Sequence, residues 1–281
     1  MKNKIVFKKI RLFTITIFFV ILGCSSFRVM AQPVVKWVYM ADAEPINWVE
    51  NGIAKGIEVE IVDYVMGRLG IKVKHEFYPW KRAQKRIEKG DADCMITTPT
   101  PARFKYAVFG KENILPNYWN LFIKKGDTRM VDKIAGLKKL EDLKPFVLLD
   151  FIGNGWTNAF LKKRDGFNIY EVARLEQIPL MIASGRAEIV INSSSWINWW
   201  AEKKGVQDQI QEFDINWPWT RFHFVFMLSR KSTWVEKGLI RALDEEGKKM
   251  KKAGIWHNLL KKFKNPHGNG KPFISHLDEK Y

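Results

Sequence analysis

The sequence predicts an α/β fold made of two parallel-sheet units, one inserted into the other. Strand-like and helix-like segments alternate as βαβαβ over residues 34–97, an order typical of a parallel sheet with helices on both faces. A second series of this kind begins near residue 146. Two extended runs, 118–124 and 222–229, bracket that second series like the two crossovers of an inserted domain.

The first unit contains three predicted strands and two predicted helices, identified by period-2 and period-3.6 placement of apolar residues. In chain order they are the strand 34–40, the helix 56–69, the strand 71–77, the helix 80–88 and the strand 92–97. A polar loop, 41–51, follows the first strand, and Gly70 is placed to end the first helix. Loops at the carboxyl ends of such strands are where α/β sheets bind ligands.

The second unit repeats this alternation around a glycine-rich turn at 150–157. Its predicted elements are the strand 146–149, the helix 158–163, the strand 169–172, the helix 177–184 and the strand 189–192. The spacing of apolar residues over 234–263 predicts a closing pair of basic amphipathic helices, broken at Gly254.

Residues 1–31 have the pattern of an export signal. They carry six Lys or Arg and no acid, with an apolar run of about a dozen residues that is too short to span a bilayer. Val29-Met30-Ala31 fits signal peptidase cleavage before Gln32. A competing site is Ile21-Leu22-Gly23-Cys24, which resembles a lipobox with Cys24 as the lipidated residue. Either cut predicts a periplasmic protein, soluble or anchored at Cys24.

Composition excludes several other classes of protein. The 281 residues include 47 Lys or Arg and 30 Asp or Glu, a net charge of +17; without the six basic residues of 1–31, the charge falls to +11. Export makes nucleic acid an improbable partner for this positive charge. Two cysteines and five scattered histidines form no metal-ligand pattern. We therefore expect no cofactor and no metal.

The most informative motif follows the strand 92–97. Thr100 and Pro101 have the pattern of a helix N-cap and first helical residue. This arrangement brings free backbone N–H groups, the Thr98 hydroxyl and the Arg103 guanidinium to one helix mouth, which suits a carboxylate or similar anion. The alternative is a capped helix with a surface arginine, and local chemistry does not choose between them.

Four segments of the chain form a recognisable set: Gly56-Ile-Glu-Val-Glu with Leu69-Gly-Ile-Lys-Val, Tyr78-Pro-Trp with Glu88-Lys-Gly-Asp-Ala-Asp, Thr98 to Arg103, and Gly185-Arg-Ala-Glu-Ile-Val-Ile. In order and spacing they resemble the family 3 solute-binding proteins, the periplasmic receptors of ABC importers for polar amino acids and related solutes. The closing Lys252-Ala-Gly-Ile-Trp is also similar. The resemblance implies a type II two-lobe periplasmic-binding-protein fold, with two mixed sheets and a hinged cleft. Lobe one would comprise 32–117 and 223–281, and lobe two 118–222.

The resemblance also implies a set of ligand-binding residues. The arginine that holds the ligand α-carboxylate falls on Arg103, with the hydroxyl of Thr98 beside it. Aromatic walls fall on Trp80 and on Trp48 or Tyr39. The turn that completes the carboxylate site from the second lobe corresponds to Gly153-Asn154-Gly155-Trp156-Thr157.

One departure from the family pattern concerns the acid that commonly binds the ligand ammonium group. That position is Ser193, preceded by Asn192. Uncharged groups cannot neutralise an ammonium ion. Either Asp42 or Glu44 of the first loop substitutes, or the ligand lacks an α-amino group.

Other conspicuous side chains have ordinary structural interpretations. Trp196, Trp199 and Trp200 have the spacing of one packed helix face. Glu58, Glu60 and Asp63 are predicted to form the solvated face of the first helix, near its N-terminus.

The sequence therefore predicts a monomeric solute-binding protein without enzymatic activity, which captures a small carboxylate-bearing solute, an amino acid or an analogue, and delivers it to a membrane permease. Two alternatives stay open. One is an enzyme on the same fold, similar to cyclohexadienyl dehydratase, with Glu44, Asp42 or Asp150 as its acid or base. The other is a ligand-sensing partner of a membrane sensor.

Overall fold

Residues 34–215, 217 and 220–262 are described by the structure, a computed structural model. The export segment 1–31, with Cys24, and the tail from 263 onward lie outside these residues, so the predictions for them stay predictions. Among the described residues, no helix combines the length and the apolar character needed to cross a membrane.

Strands and helices alternate along most of the chain. The strands are β1 (Val34–Met40), β2 (Trp48–Glu50), β3 (Ile53–Lys55), β4 (Lys72–Tyr78), β5 (Cys94–Thr97), β6 (Ala107–Phe109), β7 (Leu115–Lys124), β8 (Val147–Phe151), β9 (Asn168–Val172), β10 (Ile189–Ser193), β11 (Ile210–Phe213) and β12 (Arg221–Ser229). The helices are α1 (Ile57–Arg68), α2 (Trp80–Lys89), α3 (Pro101–Phe104), α4 (Thr128–Ala135), α5 (Gly155–Phe160), α6 (Gln177–Ala183), α7 (Ser194–Lys203), α8 (Leu239–Lys252) and α9 (Ile255–Lys262). Two 3-10 turns occupy Leu140–Leu143 and Gln207–Gln209.

Two mixed sheets form the framework, as the sequence predicts. In the first, β4, β1 and β5 are parallel and β12 runs antiparallel to β5. In the second, β9, β8 and β10 are parallel and β7 runs antiparallel to β10. The pairing of β7 with β12 joins the two sheets. The ends of the parallel strands therefore bring loops from both halves of the fold together.

Several apolar cores stabilise the two halves, and one of them includes Ala43 of the first loop together with residues of the second half. One core packs β1 and β5 against α1, α8 and α9, with Trp37, Ile61 and Phe226 fully buried. The other half has cores on either face of the second sheet. In the core that contains Phe122 and Val190, Trp196 and Trp200 pack on one face of α7. This is the helix face predicted from their spacing.

The structure corrects three local predictions. The loop 41–51 is not wholly irregular, because β2 and β3 form a short antiparallel hairpin that spans its end. Helix α5 begins at Gly155 rather than 158, because Asn154 caps it. Glu58 does not lie on a solvated face: it is 5% exposed.

Gly56 shows why the first loop turns into α1 at this residue. Its φ is +123°, and a Cβ there would lie 2.3 Å from the carbonyl oxygen of Ile46. Both the positive φ and this close contact exclude a residue with a side chain. The close approach brings the first loop against the N-terminus of α1, where it forms part of the site described next.

Candidate ligand-binding cleft

The segment from β5 into α3 has the cap that the sequence predicts. Thr100 is the N-cap, and its Oγ1 accepts a hydrogen bond from the backbone N–H of Arg103 at 3.3 Å. Pro101 is the first helical residue, where its missing N–H has no cost. This tight turn directs the chain back so that Arg103 lies beside the strand end.

Arg103 is buried, only 5% exposed, and so is not a surface arginine. Its Nη1 donates to the carbonyl oxygen of Thr98 at 2.7 Å, and its Nη2 donates to Oε1 of Gln84 at 2.9 Å. The guanidinium also lies over the Trp80 ring, 5.4 Å from the centroid. Burial lowers the pKa of Arg103, with Tyr106 opposing the change, but an arginine stays charged in proteins. The cleft therefore contains a fixed positive charge.

The second half contributes the turn after β8. Asn154 Oδ1 accepts a hydrogen bond from the backbone N–H of Trp156 at 3.0 Å, which caps α5. Asn154 Nδ2 in turn donates to Oδ2 of Asp150 at 2.7 Å. The hydroxyl of Thr157 and the amide of Asn192 also donate to Asp150. This buried network fixes the turn.

Asp150 is therefore an internal acceptor. Burial raises its pKa to about 6, while the hydrogen bonds from Thr157 and Asn154 oppose the rise. Asp150 is not among the residues that line the cleft cavity.

A cavity of about 300 Å³ lies between the two halves. This is at the small end of the range for small-molecule sites. Its lining combines the strand ends and first loop of one half with the turn and helix α5 of the other. Eight of the lining side chains are aromatic: Tyr39, Trp80, Trp119, Phe151, Trp156, Phe160, Trp196 and Phe224.

The two halves approach each other closely around Arg103. A Cβ on Gly155 would lie 3.0 Å from Nη2 of Arg103, so glycine at this position lets the guanidinium reach the start of α5. Gln84 Nε2 donates to the carbonyl oxygen of Gly153 at 3.3 Å. An anion bound by Arg103 would thus also be within reach of the second half.

Six of the twelve residues predicted for ligand binding line the cavity. They are Tyr39, Trp80, Thr98, Arg103, Asn154 and Trp156. Trp48 lies on the β2–β3 hairpin, and Thr157 is buried with its hydroxyl donating to Asp150. Neither residue belongs to the lining. The structure thus brings Arg103, Thr98, Asn154 and three of the four aromatic candidates into one space.

The polar positions considered for an ammonium group lie elsewhere. Asp42 is exposed, and Glu44 forms an ion pair with Lys203 and accepts a hydrogen bond from Trp199 Nε1 at 3.4 Å. Asn192 donates to Asp150 and accepts from the backbone N–H of Ser193. None of the four lines the cavity.

Polar lining residues that the sequence interpretation did not assign to the site include a buried pair, Asn47 and Glu58. Asn47 Nδ2 donates to Oε2 of Glu58 at 2.6 Å, and both side chains are buried. Burial raises the pKa of Glu58 to about 8, against the opposing hydrogen bonds from Asn47 and the backbone of Ile96. Helical spacing alone pointed to a solvated Glu58. The close turn at Gly56, which covers the first turn of α1, was the overlooked signal.

Comparison with known families now identifies the fold. The sequence profile of the bacterial extracellular solute-binding proteins, family 3, matches residues 35–266. The chain belongs to this family. A search of curated protein sequences gives no significant match.

Solved structures agree on the fold at low sequence identity. The amino acid ABC transporter substrate-binding protein AbpA from Streptococcus pneumoniae, bound to L-arginine, is 16% identical, with a TM-score of 0.66 over 82% of this chain and 93% of that one. A histidine kinase sensor domain similar to periplasmic binding proteins is 14% identical, with a TM-score of 0.68 over 81% and 94% of the chains. The ancestral amino acid-binding protein AncCDT-1, a precursor of cyclohexadienyl dehydratase, is 20% identical, with a TM-score of 0.64 over 82% and 94%.

Proposed function

We propose that this family 3 protein captures a small carboxylate-bearing solute in the cleft, with Arg103 as the group that binds the carboxylate. The observation that carries the proposal is the buried, permanently charged guanidinium on the cavity wall. A buried charge is costly unless it is paired. The partners given above are a carbonyl and an amide oxygen, so no carboxylate among them neutralises it.

A carboxylate suits the remaining groups near Arg103. Thr98 and Asn154 line the same cavity, and the start of α5 approaches Arg103 at Gly155. Charge-assisted hydrogen bonds to a carboxylate are about twice as strong as neutral ones. Ligand contacts from both halves also favour a closed form over an open one, which is the basis of ligand-driven closure. We assign 32–117 with 223–281 to one lobe and 118–222 to the other.

A thermal-shift screen of residues 32–281 tests this proposal. Carboxylates of different classes are each paired with their uncharged amide, which has the same shape without the charge. Binding to the folded state alone raises its stability by about 2.7 kcal/mol at a hundredfold excess over Kd. We expect a shift with at least one carboxylate and none with its amide. Equal shifts with both members of every pair, or none at all, would contradict the proposal.

The enzyme alternative is the second candidate, and Glu58 is the observation that favours it. Asp42, Glu44 and Asp150 lie outside the cavity lining, whereas Glu58 is on it, and burial raises its pKa to about 8, which favours the protonated form at neutral pH. A reaction that expels water needs such a proton donor. Incubating cyclic hydroxy acids with the protein and detecting the dehydrated product by mass spectrometry tests the enzyme alternative. Turnover that disappears in Glu58→Gln supports an enzyme, and its absence leaves the binding function.

Delivery to an ABC permease in the periplasm is also part of the proposal. It is supported by the family match and by the export pattern of residues 1–31. Co-purification of the loaded protein with the permease encoded nearest to its gene tests it. Capture by a sensor kinase instead would favour the sensing alternative.

A further inference from the structure

The walls of the cavity are largely aromatic. Trp80 and Phe224 line it from one half, and Trp119, Trp156 and Phe160 line it from the other. The rings of Trp119 and Trp156 are 5.4 Å apart between centroids, and those of Trp156 and Phe160 are 5.9 Å apart. Flat apolar groups pack well against rings held in this way.

Acidic side chains that could neutralise an ammonium group are nearly absent from the lining. Among the described residues, Glu58 is the one acid on the cavity wall. Glu44 forms its ion pair with Lys203, and Asp150 is occupied by three side-chain donors. An ammonium group in this cavity would therefore depend on Glu58 alone.

Glu58 is poorly suited to that role. It is 5% exposed, with Asn47 packed on it as a neutral donor. Burial favours its protonated, uncharged form at neutral pH. Desolvating an ammonium group against an uncharged carboxyl leaves a positive charge unpaired, in the same space as the positive charge of Arg103.

We propose that the solute is a carboxylate carried on a flat aromatic group, and that the cleft discriminates against the same compound with an α-ammonium group. This inference rests on the proposed carboxylate-binding function and narrows its ligand class. The carboxylate pairs with Arg103, and the ring packs between Trp80 and Trp156. The site thereby selects on two properties, an aromatic ring and a net negative charge.

Isothermal titration calorimetry on residues 32–281 at neutral pH tests this with a matched pair. 3-Phenylpropionate and phenylalanine differ only in the α-ammonium group, and glutamine and arginine represent linear polar amino acids. Benzoate and indole-3-acetate vary the ring. We expect at least one aromatic acid to bind, and 3-phenylpropionate to bind at least about tenfold more tightly than phenylalanine, a difference of about 1.4 kcal/mol.

Variants test the ring contacts. Trp156→Leu and Trp80→Leu should each weaken the binding of the aromatic acid at least about tenfold. Trp256→Leu, on α9 and outside the lining, is the matched control and should leave affinity unchanged. Melting curves establish that each variant is folded. If one of the two cavity variants does not fold, the other is sufficient for the test.

The outcomes separate the two proposals. Tighter binding of phenylalanine, glutamine or arginine than of any aromatic acid overturns this inference and leaves carboxylate binding standing. Affinity for the aromatic acid that is unchanged in both tryptophan variants also overturns it. If no carboxylate binds at concentrations up to about 1 mM, the proposed function itself fails, and the inference fails with it.

Discussion

Asn154 and Asp150 form a buried hydrogen bond, 2.7 Å from Nδ2 to Oδ2, that links the end of β8 to the start of α5. The same Asn154 side chain caps α5 through the N–H of Trp156. One carboxylate thus positions both the helix start and the tryptophan that faces the cavity. Asp150 itself lies beneath the site, whereas Asn154 both belongs to this network and lines the cavity.

Asp150→Ala should destabilise the protein by about 2–4 kcal/mol, because it leaves the donors of Asn154, Thr157 and Asn192 buried without their acceptor. Ligand affinity should fall as well, since α5 loses its fixed start. Urea unfolding measures the first effect and calorimetry the second. Asp208→Ala, at an exposed position, is the control and should stay within about 0.5 kcal/mol of the wild type. A similar result for both variants would contradict this role.

The raised pKa of Glu58 predicts a pH-dependent stability difference. Its folded pKa of about 8 lies above the unfolded value, so the folded state binds more protons between the two values and loses stability as pH rises from about 5 to 8. Glu58→Gln has no such proton to lose. Relative to this variant, the free energy of unfolding of the wild type should fall by up to about 1.4 kcal/mol per pH unit.

Urea unfolding at several pH values across that range measures the Glu58 effect. Glu60→Gln is the control, because Glu60 forms a surface ion pair with Lys262. The difference in free energy of unfolding between Glu60→Gln and the wild type should stay nearly constant over the range. A constant difference for Glu58→Gln would show that Glu58 is ionised throughout.

Gly155→Ala should lower ligand affinity without unfolding the protein. The new Cβ would lie 3.0 Å from Nη2 of Arg103, so the guanidinium must move away from the start of α5. We expect about a five- to tenfold loss by calorimetry. Gly67→Ala, in α1 with open space around the position, should leave affinity unchanged and raise stability by up to about 1 kcal/mol. Unchanged affinity in Gly155→Ala would place the ligand away from Arg103.

The Glu44 contacts with Trp199 and Lys203 join the first loop to α7 across the two halves. Glu44→Gln should weaken ligand binding about two- to fivefold by favouring the open form, while stability changes by less than about 1 kcal/mol. The effect should shrink at high salt, which screens the wild-type ion pair. Small-angle scattering of the free protein should show a larger radius of gyration for the variant.

The control for Glu44 is Glu245→Gln, since Glu245 forms a surface ion pair with Arg241 inside α8, on one half of the fold. The two variants should differ in affinity and in scattering. Identical behaviour would mean that the Glu44 contacts do not contribute to closure.

The sequence predicted the sheets and helices better than it predicted the cavity. Apolar periodicity predicted β1, α1, β4, α2 and β5 to within about two residues, because each element buries one continuous face. The cap at Thr100 was also predictable, since it depends on residues that are neighbours in sequence. The position of the cavity depends instead on contacts distant in sequence.

Glu58 and Glu44 illustrate what local patterns omit. Glu58 is buried because the first loop folds back over α1 at Gly56, and no helical periodicity records that approach. Glu44 is paired with Lys203, which is 159 positions away. The environments of both acids are set by tertiary contacts rather than by residue type.

The most direct measurement is the affinity of Arg103→Ala for the carboxylate that the wild type binds, determined by calorimetry. Loss of the charge-assisted hydrogen bonds to the guanidinium should reduce affinity by about 100-fold or more, with melting showing that the variant is folded. Arg82→Ala, an exposed arginine over the Tyr78 ring, is the control and should bind like the wild type. An Arg103→Ala protein that is folded and binds within about threefold of the wild type would contradict the account, because the carboxylate would then be held elsewhere.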